Sequence, residues 1–384
     1  MIHPCGVDQR DGMQTCAGPL KTLIAPIALP LHIQHPQDRA SPMDITSHFA
    51  RSARHTTHYL AAGPSDGPLL IFVHGWPELS RSWRHQLPVF GGLGYRAIAP
   101  DMRGYGHSSN YTRHEDYAQQ HVVADMLDLL TALGGEQAVW VGHDWGSPTV
   151  WNLASHHPNQ CVAVANLCVP FATIELGFDK LMPLVDREIY PLEQFPAGQW
   201  DYQLFYEENF ARATQVFGAD AYRTVKLLFR KGSPDDAGKP AFTAQVRRNG
   251  GWFGPLDVAP DLPRDADVVT DEDLRIYAEA LARNGFFGPD SYYMNHPANA
   301  AYGALGSATL DLPVLFIGAR YDYVCETVTS RLAEPMRARC SNLSEAVIDA
   351  GHWLAQERPA EVNGLLARWL ASFVAQSWPG PALA

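Results

Sequence analysis

Ala138-Val139-Trp140-Val141-Gly142-His143-Asp144-Trp145-Gly146-Ser147 decides how this chain is read. The apolar run 138–141 predicts a short buried strand, and 147–157 reads as a helix that stops at Pro158. A strand, a glycine-flanked turn and a helix make an elbow that pushes one side chain out at the top of a parallel sheet. Gly142 and Gly146 fit such a turn because it leaves no room for Cβ atoms beside it. At the apex stands Asp144, where a serine is the usual occupant. A serine hydroxyl needs a base before it attacks. An aspartate, with an ordinary pKa of about 3.9, is already an anion at neutral pH. It attacks an electrophilic sp3 carbon directly and forms an alkyl ester, so a histidine is needed only afterwards, to activate water. Taken alone, Asp144 reads better as a helix N-cap, the commoner role of an aspartate at a strand-to-helix turn. The rest of the chain decides.

Composition narrows the classes. Of 384 residues, 46% are apolar and 18% charged, which predicts a compact globular protein with a large core. A net charge of −12 argues against a polyanionic partner such as nucleic acid. No apolar run approaches the roughly 20 residues of a membrane span; the best candidate, 23–31, is broken by Pro26 and Pro30. Cys5, Cys16, Cys161, Cys168, Cys325 and Cys340 lack metal-ligand spacing. They read as ordinary thiols, with a reducing, cytoplasmic location as the expectation and no metal or cofactor.

Outward from the elbow the pattern is regular. Strands are expected at 55–61, 69–73, 96–100, 161–169, 314–318 and 345–348. Helices are expected at 83–90, 117–133, 326–338 and 360–375. The 117–133 helix carries a core stripe of Val122, Met126, Leu129, Leu130 and Leu133. Alternation of this kind implies an α/β fold, a mostly parallel sheet covered by helices on both faces. Between 171 and 303 strand-like runs vanish and aromatics crowd in; Thr270 and Asp273 open one helix and Gly285 closes it. The expected organisation is an irregular extension over 1–43, a core over 44–170 and 304–384, and a helical cap over 171–303. Lys21 before the 23–31 run gives the extension only a faint signal-peptide character. The charged run 265–273 reads as a solvated face.

Three further signals fall at strand ends. His74-Gly75-Trp76-Pro77 follows the 69–73 strand, Tyr321-Asp322-Tyr323 follows 314–318, and Asp349-Ala350-Gly351-His352-Trp353 follows 345–348. Nucleophile, acid and histidine thus come in the order Asp144, Asp322, His352. Asp349 competes with Asp322 but reads as the end of its strand, and Asp311 lies on the wrong edge.

From about residue 44 onward the chain resembles the soluble epoxide hydrolases of the α/β-hydrolase superfamily. The resemblance rests on His74 to Pro77, on Gly142 to Gly146, and on Asp101-Met102-Arg103-Gly104-Tyr105-Gly106-His107-Ser108. It implies Asp144 as nucleophile, His352 as the base for water, Asp322 as its orienting acid, and the backbone N–H groups of Trp76 and Trp145 as the oxyanion hole. Trp200-Asp201-Tyr202-Gln203 and Ser291-Tyr292-Tyr293-Met294-Asn295 resemble the two segments that supply ring-opening tyrosines, implying Tyr202 and Tyr293. Tyr206 and Tyr292 are the neighbouring alternatives for these positions. His74, Pro77, Phe171 and Trp353 are expected to wall the substrate pocket. The expected partners are a small apolar epoxide and water, in a monomer or homodimer. A haloalkane dehalogenase shares the aspartate and the Asp-Trp-Gly, with the Trp145 indole on the departing halide. A catalytically silent ligand-binding relative is the other alternative, although every triad position is filled. A serine esterase is disfavoured, since Ser147 lies past the apex.

Overall fold

A computed structural model describes Ser41 and residues 43–379. The expectations for 1–43, including Cys5 and Cys16, therefore fall outside the described residues except at Ser41 and Met43. Eight strands form one sheet: β1 (Thr46–Arg51), β2 (Thr56–Ala62), β3 (Leu69–Val73), β4 (Arg96–Pro100), β5 (Ala138–His143), β6 (Cys161–Leu167), β7 (Val314–Ala319) and β8 (Leu343–Ile348). Their spatial order is β1-β2-β4-β3-β5-β6-β7-β8. β1 and β2 pair antiparallel, as do β2 and β4, and every other neighbouring pair is parallel. The expected α/β sheet is thus present.

The continuous apolar runs explain the parallel strands. Every residue of β5 and β7 is buried, because helices cover both faces. Helix Gln119–Ala132 lays Val122, Met126, Leu129 and Leu130 against the sheet, all buried. Fully burying one such side chain stabilises by about 1.5–3 kcal/mol. β1 escaped the sequence reading because it is an edge strand with five of its six residues exposed, so no burial pattern marks it. Two helices differ from expectation. Over 83–90 the chain makes a 3-10 turn, Ser80–Trp83, and then the helix Leu87–Gly92, with Pro88 in its first turn. Over 326–338 only Glu334–Arg339 is helical. The Glu326 carboxylate turns back to accept from the N–H groups of Val328, Thr329 and Ser330, holding a non-helical loop.

Between β6 and β7 the chain contains helices and no named strand. Helix Asp271–Asn284 has the capping box of Thr270 and Asp273 at its start and Gly285 at its end. Asp273 corrects the solvated-face expectation. It is fully buried and pairs with Arg81 at 2.9 Å and Arg84 at 3.0 Å. Ser82 and Tyr277 meet at 2.6 Å between the same elements. These contacts seat the helical insertion beside the loop that follows β3. The C-terminal ends of β3, β5, β7 and β8 therefore open under it, on one edge of the sheet.

Candidate active site

Asp144 follows β5 and has a left-handed backbone, φ 48°. For a residue with a side chain this costs of order 1–3 kcal/mol and persists only where the surroundings impose it. They do so here. A Cβ at Gly142 would overlap Asn166, one at Gly146 would overlap the carbonyl of Val73, and one at Gly75 would overlap Asp144 itself. The Asp144 carboxylate is held from two sides. The backbone N–H of Trp76 donates to Oδ1 at 2.5 Å, and Nε2 of His352 stands 3.5 Å from Oδ2. Trp145, whose backbone N–H comes next, opens helix Gly146–His156.

His352 follows β8 and Asp322 follows β7, so the two strands, paired in register from Val314 with Leu343 to Ala319 with Ile348, bring them together. Nδ1 of His352 lies 2.7 Å from Oδ2 of Asp322. Burial opposes charge on the imidazole, but the Asp322 charge and the hydrogen bonds to Asp144 and Asp322 outweigh it and hold His352 well above the usual histidine pKa. Burial likewise works to raise Asp322, and facing His352 lowers it instead. Its Oδ1 accepts from the N–H groups of Val324 and Cys325 at 3.2 and 3.0 Å. Asp349 instead accepts from Arg320 at the surface, and Asp311 from Ser341. Ser147 is buried, with its hydroxyl donating to the Leu167 carbonyl.

A cavity of about 640 Å³ adjoins these groups. Asp144, His352, Asp322, Trp76, Tyr202 and Tyr293 all line it, and so does Trp353; Tyr206 and Tyr292 do not. Tyr202 lies in the first turn of helix Asp201–Gly218, and Tyr293 in the turn Tyr292–Met294. Their rings are 5.6 Å apart and nearly perpendicular. Tyr206 stacks on the back of Tyr293 at 4.4 Å, while the Tyr292 hydroxyl donates to the carbonyl of Arg103. Burial pushes both cavity phenols above the ordinary tyrosine value, so they keep their protons. The Tyr202 oxygen accepts from Gln203 at 3.2 Å, which leaves its own proton to donate.

Three expected pocket walls lie elsewhere. His74 is a fully buried strut: it accepts from Met102 N–H at Nε2 and donates from Nδ1 to the Gly75 carbonyl, both at 2.9 Å. Burial keeps it neutral. Pro77 follows Trp76 through a cis peptide and is not among the lining residues. Phe171 packs on Trp151 and lines a separate cavity of about 200 Å³.

Sequence reading missed other members. Trp252 lines the cavity and stacks on Trp76 at 5.6 Å; its only signal was the aromatic density of the insertion. Cys325 lines the cavity too, with its thiol pushed up to about 12 by burial. Glu78 and His143 form a buried pair, Oε2 to Nδ1 at 2.8 Å, and Nε2 of His143 donates to the carbonyl of His352 at 2.8 Å. Their motif neighbours were visible, but the contact joining them was not. His143, Cys168 and His352, and likewise Asp322, Cys325 and His352, bring donor atoms within 4.8 Å of one another. Both sets depend on His352, whose two nitrogens face Asp322 and Asp144. The donors thus suit acid–base work better than a metal.

The geometry has counterparts. A family model described as alpha/beta hydrolase fold matches residues 68–359. Epoxide hydrolase A of Mycobacterium tuberculosis (strain ATCC 25618 / H37Rv) is 34% identical over 314 residues, covering 80% of this chain and 92% of that protein. Bifunctional epoxide hydrolase 2 of Sus scrofa is 35% identical over 319 residues, 82% of this chain; the match spans only 53% of that longer protein, about half its length. The crystal structure of Epoxide Hydrolase A from Mycobacterium thermoresistibile superimposes with a TM-score of 0.70 at 30% identity, covering 86% of this chain and 99% of that one. With a nucleophile-type elbow carrying aspartate, and relatives of this similarity over most of its length, the chain belongs to the α/β-hydrolase family, in its epoxide hydrolase branch.

Proposed function

We propose that the protein hydrolyses epoxides to vicinal diols through an ester on Asp144. Oδ2 of Asp144 attacks a ring carbon, the ring C–O bond breaks, and the departing oxygen takes a proton from Tyr202 or Tyr293. His352, once its own proton has passed to the phenolate so formed, then removes a proton from water as that water adds to the ester carbonyl. The resulting oxyanion, the former Oδ1, is stabilised by the N–H groups of Trp76 and Trp145. Collapse releases the diol and restores the carboxylate, with the proton taken from water left on His352 as in the resting enzyme. Asp322 orients the imidazole and stabilises its charged form. Residues 171–303 act as the cap that supplies both tyrosines.

One observation carries this reading. A carboxylate held by a backbone N–H and a histidine faces two protonated phenols across one cavity. A halide leaving group needs no proton, so a dehalogenase gives the two phenols no task. Trp76, Trp252 and Trp353 line the cavity beside charged residues such as Lys231 and Lys239, and this aromatic part of the wall favours an apolar epoxide. The test is to incubate the protein separately with styrene oxide, a terminal alkyl epoxide, a fatty-acid epoxide and a bromoalkane. Diol from at least one epoxide, without bromide release, is expected. Bromide release without diol would assign the protein to the dehalogenases.

A further inference from the structure

Asp290 lies three residues before Tyr293, in the short helix Phe287–Ser291, and is fully buried. Its Oδ1 accepts a hydrogen bond from the indole N–H of Trp76 at 2.9 Å. Its Oδ2 has no hydrogen-bond partner among the described residues. Burying a carboxyl with half its bonding capacity unused is expensive, and an apolar side chain of similar volume would spare that cost. Burial outweighs the Trp76 hydrogen bond and drives this carboxyl well above the usual carboxylate range, towards its neutral form. The neutral acid is cheaper to bury, yet it still leaves one oxygen unused. The group is therefore costly to keep, and what it holds gives it a use.

Trp76 has two N–H groups pointing in different directions. The backbone N–H donates to the nucleophile Asp144, and the indole N–H donates to Asp290. Its ring also meets Tyr293 edge-on, centroids 6.0 Å apart. We propose that Asp290 is a positioning residue: by taking the Trp76 indole N–H it ties the loop that presents a donor to Asp144 to the segment that presents the Tyr293 phenol. One carboxyl thereby sets the distance between nucleophile support and ring-opening acid, which belong to the core and the insertion respectively. The inference rests on the reading that epoxides alkylate Asp144. Misplacement by about 1 Å is enough to slow a reaction about 10²-fold.

The test is single-turnover alkylation of the full chain by styrene oxide, followed alongside ester hydrolysis and thermal unfolding. Asp290→Leu keeps the branched shape at a larger volume and removes the acceptor; Asp290→Asn keeps a carbonyl acceptor. Trp76→Phe removes the indole donor and leaves the backbone N–H. Alkylation is expected to slow at least about tenfold in Asp290→Leu and to recover to within about threefold of wild type in Asp290→Asn. The Trp76→Phe, Asp290→Leu double variant should be no slower than the slower single, since both remove one hydrogen bond. A wild-type alkylation rate in Asp290→Leu, or losses that multiply in the double variant, overturns the inference. Should Asp290→Leu not fold, Trp76→Phe alone decides: it must be slowed at least about tenfold, and wild-type alkylation there overturns the proposal. A wild-type enzyme that never becomes alkylated sinks the epoxide reading and this inference with it. A wild type that alkylates beside unaffected variants sinks this inference alone.

Discussion

Nε2 of His352 stands 3.5 Å from Oδ2 of Asp144, on the same carboxylate whose Oδ1 takes the Trp76 N–H. The relationship gives the histidine two successive environments. Beside a free carboxylate its proton is held firmly, as its raised pKa reflects. In the proposed mechanism, once Asp144 is an ester that negative charge is gone and the imidazole passes its proton on to the phenolate left by ring opening. A base thus becomes available at the step that needs one.

His352→Gln is therefore expected to be alkylated and then to stall. Intact-protein mass spectrometry after mixing with a reactive epoxide should show enzyme plus substrate accumulating, with diol turnover lowered by at least about 10²-fold. A variant that stays unmodified would mean the histidine serves the first step instead.

Tyr202 and Tyr293 face the cavity, and Tyr206 lies behind Tyr293. Losing one donor to a developing oxyanion costs about 10²–10³ in rate, and less where a second donor covers for it. Each single Phe variant should lose part of the alkylation rate, the double variant nearly all of it, and Tyr206→Phe less than about threefold. Stopped-flow alkylation separates these outcomes. A Tyr206→Phe loss as large as that of Tyr293→Phe would move the acid to the stacked neighbour.

Glu78 offers a test on stability. Burial would raise its pKa, but His143 and the Gly75 N–H bring it from 4.5 down to about 2. A carboxylate with a depressed folded pKa adds stability above its unfolded pKa and loses that contribution as pH falls through the folded value. The shift corresponds to about 3 kcal/mol, present at neutral pH and lost between about pH 4.5 and pH 2. Urea unfolding of Glu78→Gln should show a deficit of this order at pH 7 that shrinks across that window. A deficit independent of pH would assign the effect to packing.

The parts of this molecule that write themselves into local sequence were legible there. Parallel strands buried on both faces are uninterrupted apolar runs, and β3 and β4 fall where they were expected, at Leu69–Val73 and Arg96–Pro100. Asp144, Asp322 and His352 each sit in a short motif at a strand end, so their meeting follows once the strands align. What stayed hidden depends on contacts between distant segments. Asp273 looked like one more surface charge until Arg81 and Arg84, nearly 200 residues earlier, were placed on it. The Glu78–His143 pair and the Trp76–Asp290 hydrogen bond join motifs 65 and 214 residues apart. His74 shows the converse: its motif marks the site, but its ring turns inward to the loop it holds.

In the proposed mechanism the carboxylate of Asp144, and not a water molecule, attacks the epoxide. Single-turnover hydrolysis in 18O-water, with enzyme in excess over epoxide, tests it most directly. The first diol should carry an unlabelled oxygen donated by Asp144, and the label should appear in the peptide containing Asp144. First-turnover diol carrying solvent 18O, with that peptide unlabelled, would contradict the account.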